Sequence, residues 1–249
     1  MSDTSESPRP SKQEAEARAA LQALFERRPI PDDAILDHLE VFLRPQRIAE
    51  LLALSEVYRR ILEVHGVVME FGVRWGRHLS VFAGLRATLE PTNFYRRIIG
   101  FDTFAGFERV EGVDGGSSRV RQGAMAVTAG YEEYLSEVLA LHELEAPMSH
   151  IRRFELCKGH APVALASYLE RHPETIVALA YFDMDIYRPT KDCLEMLRPH
   201  LTRGSILAFD EAMHPDFPGE AVALKEVLDL STVQLRRMPF CPYPSFVVV

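Results

Sequence analysis

The chain has 249 residues, 47% of them hydrophobic and 26% charged, with a formal net charge of −8 and a pI near 5.6. That length and balance supply one α/β domain with a full core and an N-terminal appendage, and the acidic charge argues against a nucleic-acid backbone as partner, since such affinity comes from clustered Lys and Arg. Three cysteines, Cys157, Cys193 and Cys241, have no metal or CxxC spacing and point to a reducing cytoplasm, while no apolar run reaches a membrane span and the polar start has no signal-peptide core.

Residues 1–11 are polar, contain two prolines and are expected to be disordered. A helix is expected over 12–28, broken by Pro29 and Pro31, then another near 32–42, so that 12–46 form a helical appendage. From Arg47 to Val64, Ile48, Leu51, Leu52, Leu54, Val57, Tyr58, Ile61 and Leu62 recur at helical spacing, which predicts a helix packed on the edge of a sheet.

The stretch Val67-Val-Met-Glu-Phe-Gly-Val-Arg-Trp-Gly76 is an apolar run that meets an acid and then two glycines. It reads as a buried strand, a tight turn and a helix over 77–89. Gly72 and Gly76 lack a Cβ, so a ligand can lie against the turn, where the helix aims its positive amide end. Glu70 is placed to accept hydrogen bonds from an ammonium group. A glycine turn that serves packing alone is the other reading.

Arg96–Phe104 is a second apolar strand ending in a carboxylate, Asp102, and two parallel strands that each end in an acid outline a nucleoside site. Asp102 can accept from both ribose hydroxyls, or it is a helix N-cap. Residues 105–125 are glycine-rich, carry Arg119 and Arg121 and lack periodicity. They are read as a mobile lid or substrate loop, against a plain surface excursion, and a guanidinium there would suit a phosphate or carboxylate on an acceptor. Tyr131–Leu144 is a helix, and Ile151–Cys157 is a strand leading into Lys158-Gly159-His160.

Thr175–Phe182 is nearly all apolar, as a central parallel strand requires, and emerges into Asp183-Met-Asp185. A helix over 189–197 crosses back, and a strand over 204–209 delivers Asp210-Glu211. Four carboxylates at two strand ends repel one another unless a cation lies between them. Hard oxygen ligands suit magnesium or manganese, and no cysteine pair argues for zinc; separate caps and solvated acids are the alternative. The chain closes with a helix to about Leu228 and two strands, 233–238 and 245–249, joined through Pro239, Pro242 and Pro244. That short-looped pair puts one antiparallel strand on an otherwise parallel sheet.

The Glu70-x-Gly-x-x-x-Gly76 turn, Gly100–Phe104, Tyr181-Phe-Asp-Met-Asp-Ile-Tyr-Arg-Pro-Thr190 and Gly204–Glu211 resemble class I S-adenosylmethionine-dependent methyltransferases, more narrowly the macrocin O-methyltransferase group that acts on sugar hydroxyls. The resemblance covers 47–249 and implies a Rossmann-like α/β fold and a seven-stranded mostly parallel sheet with the last strand antiparallel; the lid or substrate loop read from the glycine-rich stretch is placed near 105–135 within it. It implies that Glu70, Gly72 and Gly76 line the methionine part of S-adenosyl-L-methionine and that Asp102 holds its ribose, with Val73, Thr103, Gly159 and His160 as further cofactor candidates. It also implies Asp183, Asp210 and Glu211 as ligands of Mg2+ or Mn2+, although the family usually carries Asp or Asn at the position of Glu211. Asp185, beside Asp183 in the catalytic centre, is the candidate base, and Arg119, Arg121, Tyr131 and His214 are the candidates on the acceptor side. The implied partner is a sugar or glycosylated small molecule, with no nucleic acid and no membrane; a homo-oligomer is compatible with it.

Full proton transfer from an alcohol with a pKa near 15.7 to a free aspartate near 3.9 would cost roughly 16 kcal/mol, so Asp185 alone does not deprotonate a sugar beforehand. A cation on the substrate oxygens narrows the gap, and proton removal concerted with methyl transfer avoids the rest. A metal-independent methyltransferase with Asp185 as base is the alternative. A nicotinamide oxidoreductase is a weaker rival: its fingerprint is G-x-G-x-x-G with an acid about 20 residues on, whereas the glycines here are G-x-x-x-G and Asp102 lies farther away. A catalytically silent binder is opposed by the intact acids at 183, 185 and 210.

Overall fold

The computed structural model describes residues 10–249. The expectation of disorder over 1–11 falls mostly on residues outside the described ones. Ser11 caps the first helix, α1 (Lys12–Glu26), through a reciprocal capping box with Glu14. The second predicted helix is instead a short 3-10 segment, Ile35–Phe42, interrupted at His38. α2 (Pro45–Arg59) begins with proline in its first turn and ends earlier than the apolar spacing suggested. Its Ala53, Leu54, Val57 and Tyr58 are buried, whereas Ile48, Leu51 and Leu52 stay exposed: the spacing is right for the inner face and the extra leucines lie outside it.

Seven strands follow in one sheet: β1 (Val67–Phe71), β2 (Ile98–Asp102), β3 (Phe154–Lys158), β4 (Val177–Phe182), β5 (Leu201–Phe209), β6 (Arg236–Met238) and β7 (Cys241–Val248). Their spatial order is β3-β2-β1-β4-β5-β7-β6. The first five are parallel, and β7 runs antiparallel to both β5 and β6. The predicted topology is therefore observed, with one correction: Pro242 and Pro244 lie inside β7 and do not form a linker. β7 pairs with β5 only from Ser245 onward, so neither proline has to donate to that ladder.

The strands that read as unbroken apolar runs are buried on both faces, as parallel strands between helices must be. Val68, Leu79, Phe82 and Leu135 belong to one core with α2, α3 (Arg77–Leu89) and α4 (Tyr131–Glu145). Met69, Leu165, Cys193 and Leu224 belong to the opposite core with α5 (Ala161–Arg171), α6 (Tyr187–Leu197) and α7 (Pro218–Val227). At the carboxyl ends of four adjacent strands Phe101, Phe71, Phe182 and Phe209 stack with centroids 4.8, 4.9 and 5.3 Å apart. This aromatic layer gives the strand ends a rigid floor. The strand order reverses between β1 and β4, and an open α/β sheet places its ligand crevice there.

The loop over 105–125 is packed where the sequence suggested mobility. Phe107 joins Ile186 and Phe217 in a small core, with Val110, Val120, Ala124 and Met125 against it. Among the described residues no helix is long and apolar enough to cross a membrane.

Candidate active site

A cavity of about 1150 Å³ opens over the carboxyl ends of β1, β2, β4 and β5. That volume exceeds the usual range for one drug-sized ligand. Gly72, Val73, Asp102, Thr103, Gly159, His160, Asp183, Asp185, Asp210, Glu211 and Arg119 all line it, so the structure gathers most of the residues singled out from the sequence. Arg74, Met125 and Asp185, also on its wall, hold left-handed backbone at φ 50°, 65° and 63°. Such conformations cost of order 1–3 kcal/mol each in non-glycine residues and concentrate at functional sites.

Asp102 ends β2 with each oxygen engaged by backbone: Oδ2 accepts from Arg74 N–H and Oδ1 from Phe104 N–H, both at 2.6 Å. Burial raises its pKa and those amide bonds oppose the rise. The carboxylate thus ties the β1 turn to the β2 turn and still faces the cavity. No helix begins at Asp102, so the N-cap alternative fails; its contacts to the two turns and a ribose role are compatible, since each oxygen retains a second lone pair.

The acids beyond β4 and β5 form a repelling group. Burial, followed by mutual charge repulsion, pushes Asp183 well above the carboxylate range, Asp185 up to about 7 and Glu211 up to about 8. Asp210, whose Oδ1 accepts from the Tyr181 hydroxyl at 2.7 Å, is raised to about 6, again mainly by burial and against that hydrogen bond. Glu220, fully buried on α7, accepts from Glu211 N–H at 2.9 Å, and burial lifts it too. Glu211 Oε2 and Glu220 Oε2 are buried with no hydrogen-bond partner. Among the described residues no group of three His, Cys, Asp or Glu side chains stands ready to hold a metal ion.

Several expectations change in detail. Gly72 lines the cavity, yet a Cβ there would overlap the Asp183 carbonyl, and its φ is 92°. Close approach of β1 to β4 explains this glycine without any ligand. Gly76, at φ 75°, would meet the Leu135 side chain and does not line the cavity. Glu70 is fully buried within β1, its oxygens lack hydrogen-bond partners, and His78 Nδ1 lies 3.3 Å away; it sits beneath the cavity wall. Arg119 pairs with Asp216 and lies over the Phe217 ring at 4.9 Å. Arg121 is exposed and outside the lining. Tyr131 sits behind the wall, donating to the Trp75 carbonyl at 3.1 Å. His214 also lies off the cavity, its Nδ1 accepting from Asp216 N–H at 3.2 Å.

Sequence reasoning missed His78, buried against both Glu70 and Asp183, the latter 3.5 Å from Nδ1. Burial, then Arg47, lowers its pKa to about 4, so the ring is neutral at pH 7. It also missed Arg47, Arg74, Trp75, Arg77 and Arg109 on the cavity wall. Asp114 on the loop was missed as well: its Oδ1 accepts from Tyr187 N–H and its Oδ2 from Glu111 N–H, both at 2.6 Å. An isolated basic or acidic residue carries no periodic signal, although the count of arginines close to the Gly72 turn was visible.

No protein-family model matches the chain, and no curated protein matches it. Among solved structures it is similar to the calicheamicin methyltransferase CalS11, with 43% identity over 100% of this chain and 98% of that one and a TM-score of 0.95. The apo form of CalS11, described as a TDP-rhamnose 3'-O-methyltransferase of calicheamicin biosynthesis, shows 41% identity over 99% of each chain and a TM-score of 0.87. The O-methyltransferase NovP shares the fold, at 17% identity over 81% of this chain and 79% of that one, with a TM-score of 0.57. The likeness to CalS11 over nearly the whole of both chains, on a sheet with its crevice at the switch point, identifies an S-adenosylmethionine-dependent methyltransferase of class I. The chain belongs to that family, alongside CalS11.

Proposed function

We propose that this enzyme transfers the methyl group of S-adenosyl-L-methionine to a hydroxyl of a sugar carried on a nucleoside diphosphate, with Asp185 accepting the hydroxyl proton. The observation that carries the reading is Asp185 itself: a non-glycine residue at φ 63°, only 8% exposed, on the cavity wall, with its pKa raised to about 7. A base poised near the operating pH transfers protons most effectively. The remaining gap to an alcohol near 15.7 is roughly 12 kcal/mol, so proton removal accompanies methyl transfer. The 41–43% identity to CalS11, which is described as acting on TDP-rhamnose, supports the sugar-nucleotide acceptor.

Gly72, Val73, Asp102, Thr103, Gly159 and His160 form the cofactor side of the cavity in this reading, with Asp102 accepting from ribose hydroxyls and Glu70 and Gly76 shaping the turn from beneath. The loop over 105–135 covers the acceptor side. In-line placement of the sulfonium methyl and the hydroxyl is worth up to roughly 7–11 kcal/mol in well-oriented systems. Asp183, Asp210 and Glu211 are hard oxygen donors without sulfur, the kind that Mg2+ or Mn2+ takes, although they are not drawn together around an ion position as they stand; Glu211 Oε2 makes no hydrogen bond and lies 3.8 Å from His214 Nδ1. A bound divalent cation would supply Lewis-acid polarisation of the acceptor oxygens.

The experiment is incubation with S-adenosylmethionine and a panel of TDP-deoxysugars, read by mass spectrometry for S-adenosylhomocysteine and a sugar methyl ether. Formation of both supports the reading, and loss of turnover in chelator with recovery on adding magnesium supports the metal. Full activity of metal-free protein in excess chelator leaves Asp185 as an unassisted base. Methylation of no sugar nucleotide refutes the acceptor class.

A further inference from the structure

Resting on the sugar-nucleotide reading, the arrangement of the arginines goes further, because it separates those that are occupied from those that are available. Arg119, the loop arginine that faces the cavity, is held by Asp216. Arg47 and Arg77 share Glu50, at 2.5 and 2.9 Å, and Arg188 pairs with Asp192 at 3.2 Å. Arg74 and Arg109 also line the cavity, and among the described residues neither side chain has a hydrogen bond, an ion pair or a ring contact. Both are exposed, so their guanidinium groups are hydrated and reorient at little cost.

We propose that Arg74 and Arg109 form the diphosphate subsite of the acceptor, gripping the anionic bridge between nucleoside and sugar. Arg74 stands on the turn after β1, at φ 50°, and its backbone N–H is fixed by Asp102, so the side chain starts from a rigid base. It lines the same cavity as Asp185, the base that takes the hydroxyl proton in that reading, as a group holding the next part of the acceptor must. Arg109 comes from the loop two residues after Phe107, which is anchored by backbone hydrogen bonds from Phe107 N–H to Ala124 O at 3.0 Å and from Gly123 N–H to Phe107 O at 2.8 Å. Two planar guanidinium groups from separate connections match a diphosphate, each able to make a bidentate contact. In a protein of net charge −8, and beside a group of repelling carboxylates, a diphosphate needs such local positive charge to approach the acids at all.

Isothermal titration with thymidine diphosphate and, separately, with S-adenosylmethionine tests this on wild type, Arg74→Ala, Arg109→Ala and Arg121→Ala. Each of the first two should weaken thymidine diphosphate binding about ten- to a hundredfold, the loss of one charge-assisted contact pair, and raise the acceptor's KM with cofactor affinity unchanged. Arg121→Ala, on the same loop but outside the cavity, should change neither affinity. Arg109→Lys should recover only part of the loss, because an ammonium cannot make the bidentate contact. Unchanged thymidine diphosphate affinity in Arg74→Ala and Arg109→Ala, with wild type still methylating TDP-sugars, overturns the subsite and leaves the function standing. A fall in cofactor affinity alone also overturns it, by assigning these arginines to the carboxylate of the methionine moiety. A wild-type enzyme that methylates sugars but binds neither thymidine diphosphate nor TDP-sugars overturns it together with the nucleotide part of the acceptor reading.

Discussion

At the scale of single residues, the site holds several steric and backbone conflicts. Gly72 is one: a side chain at that position would strike the Asp183 carbonyl, and its φ of 92° is itself unfavourable for any residue with a Cβ. Gly72→Ala should therefore lower folding stability by about 3 kcal/mol, measured by urea denaturation. Unchanged stability with selectively lost cofactor affinity would show that the glycine serves the ligand and not the β1–β4 approach. The sequence showed that a glycine was needed, and it also suggested the ligand reason. It could not show the packing reason, because the obstructing carbonyl, that of Asp183 just past β4, is distant in sequence. Asp183 and Asp210 were legible for the opposite cause: each directly follows an unbroken apolar run, so its place at a strand end follows from the run itself, and Asp185 and Glu211 come within two residues of them.

At the scale of elements, a buried carboxylate ties the loop over 105–125 to the segment after β4, beside the packing of Phe107 on Ile186. Asp114 holds Tyr187 N–H at the start of α6, two residues after Asp185, and Glu111 N–H within the loop. Gly219 leaves room for it, since a Cβ there would collide with Asp114 Oδ1. Asp114→Ala should leave two buried amides without an acceptor, loosen the loop from α6 and raise the acceptor's KM at least tenfold while cofactor affinity stays within twofold; Asp114→Asn, which keeps one acceptor oxygen, should lie between. Titration calorimetry and steady-state kinetics check this, and an unchanged KM would show that the loop is held by Phe107, Ile186 and Phe217 alone. Glycine content and missing periodicity identified this stretch as a loop but not as a packed one, because its core consists of three residues from three segments. The appendage shows the reverse failure: the helix expected near 32–42 forms only a 3-10 segment broken at His38 and without a side-chain cap, whereas α1, which also buries no residue, is held at its start by the Ser11–Glu14 capping box.

For the whole molecule, the clustered acids make stability depend on pH with a sign opposite to ordinary acid denaturation. Unfolded Asp and Glu ionise near pH 4, whereas folding raises Asp210 to about 6, Asp185 to about 7 and Glu211 to about 8. Between those limits the folded state holds protons that the unfolded state has released. These groups therefore contribute stability that is fully present below about pH 4 and is lost as pH rises through 6 to 8. Thermal unfolding of the metal-free protein should show a Tm that falls from pH 6 to pH 8.5, and Glu211→Gln should flatten the fall. Magnesium should raise Tm more at pH 8.5 than at pH 6, where the acids still carry protons. A Tm that rises with pH over that interval would contradict the electrostatic account of the site.

The central claim, that Asp185 removes the proton from a sugar hydroxyl during methyl transfer, is tested most directly by single-turnover kinetics of Asp185→Asn with saturating S-adenosylmethionine and a TDP-deoxysugar that wild type methylates. The variant keeps the size and hydrogen-bonding reach of the side chain and removes its basicity, so cofactor and acceptor affinities should stay within about threefold while the methyl-transfer rate falls by about a hundred- to ten-thousandfold, the range ascribed to general-base catalysis. A rate within a few fold of wild type, with both ligands bound, would contradict the account.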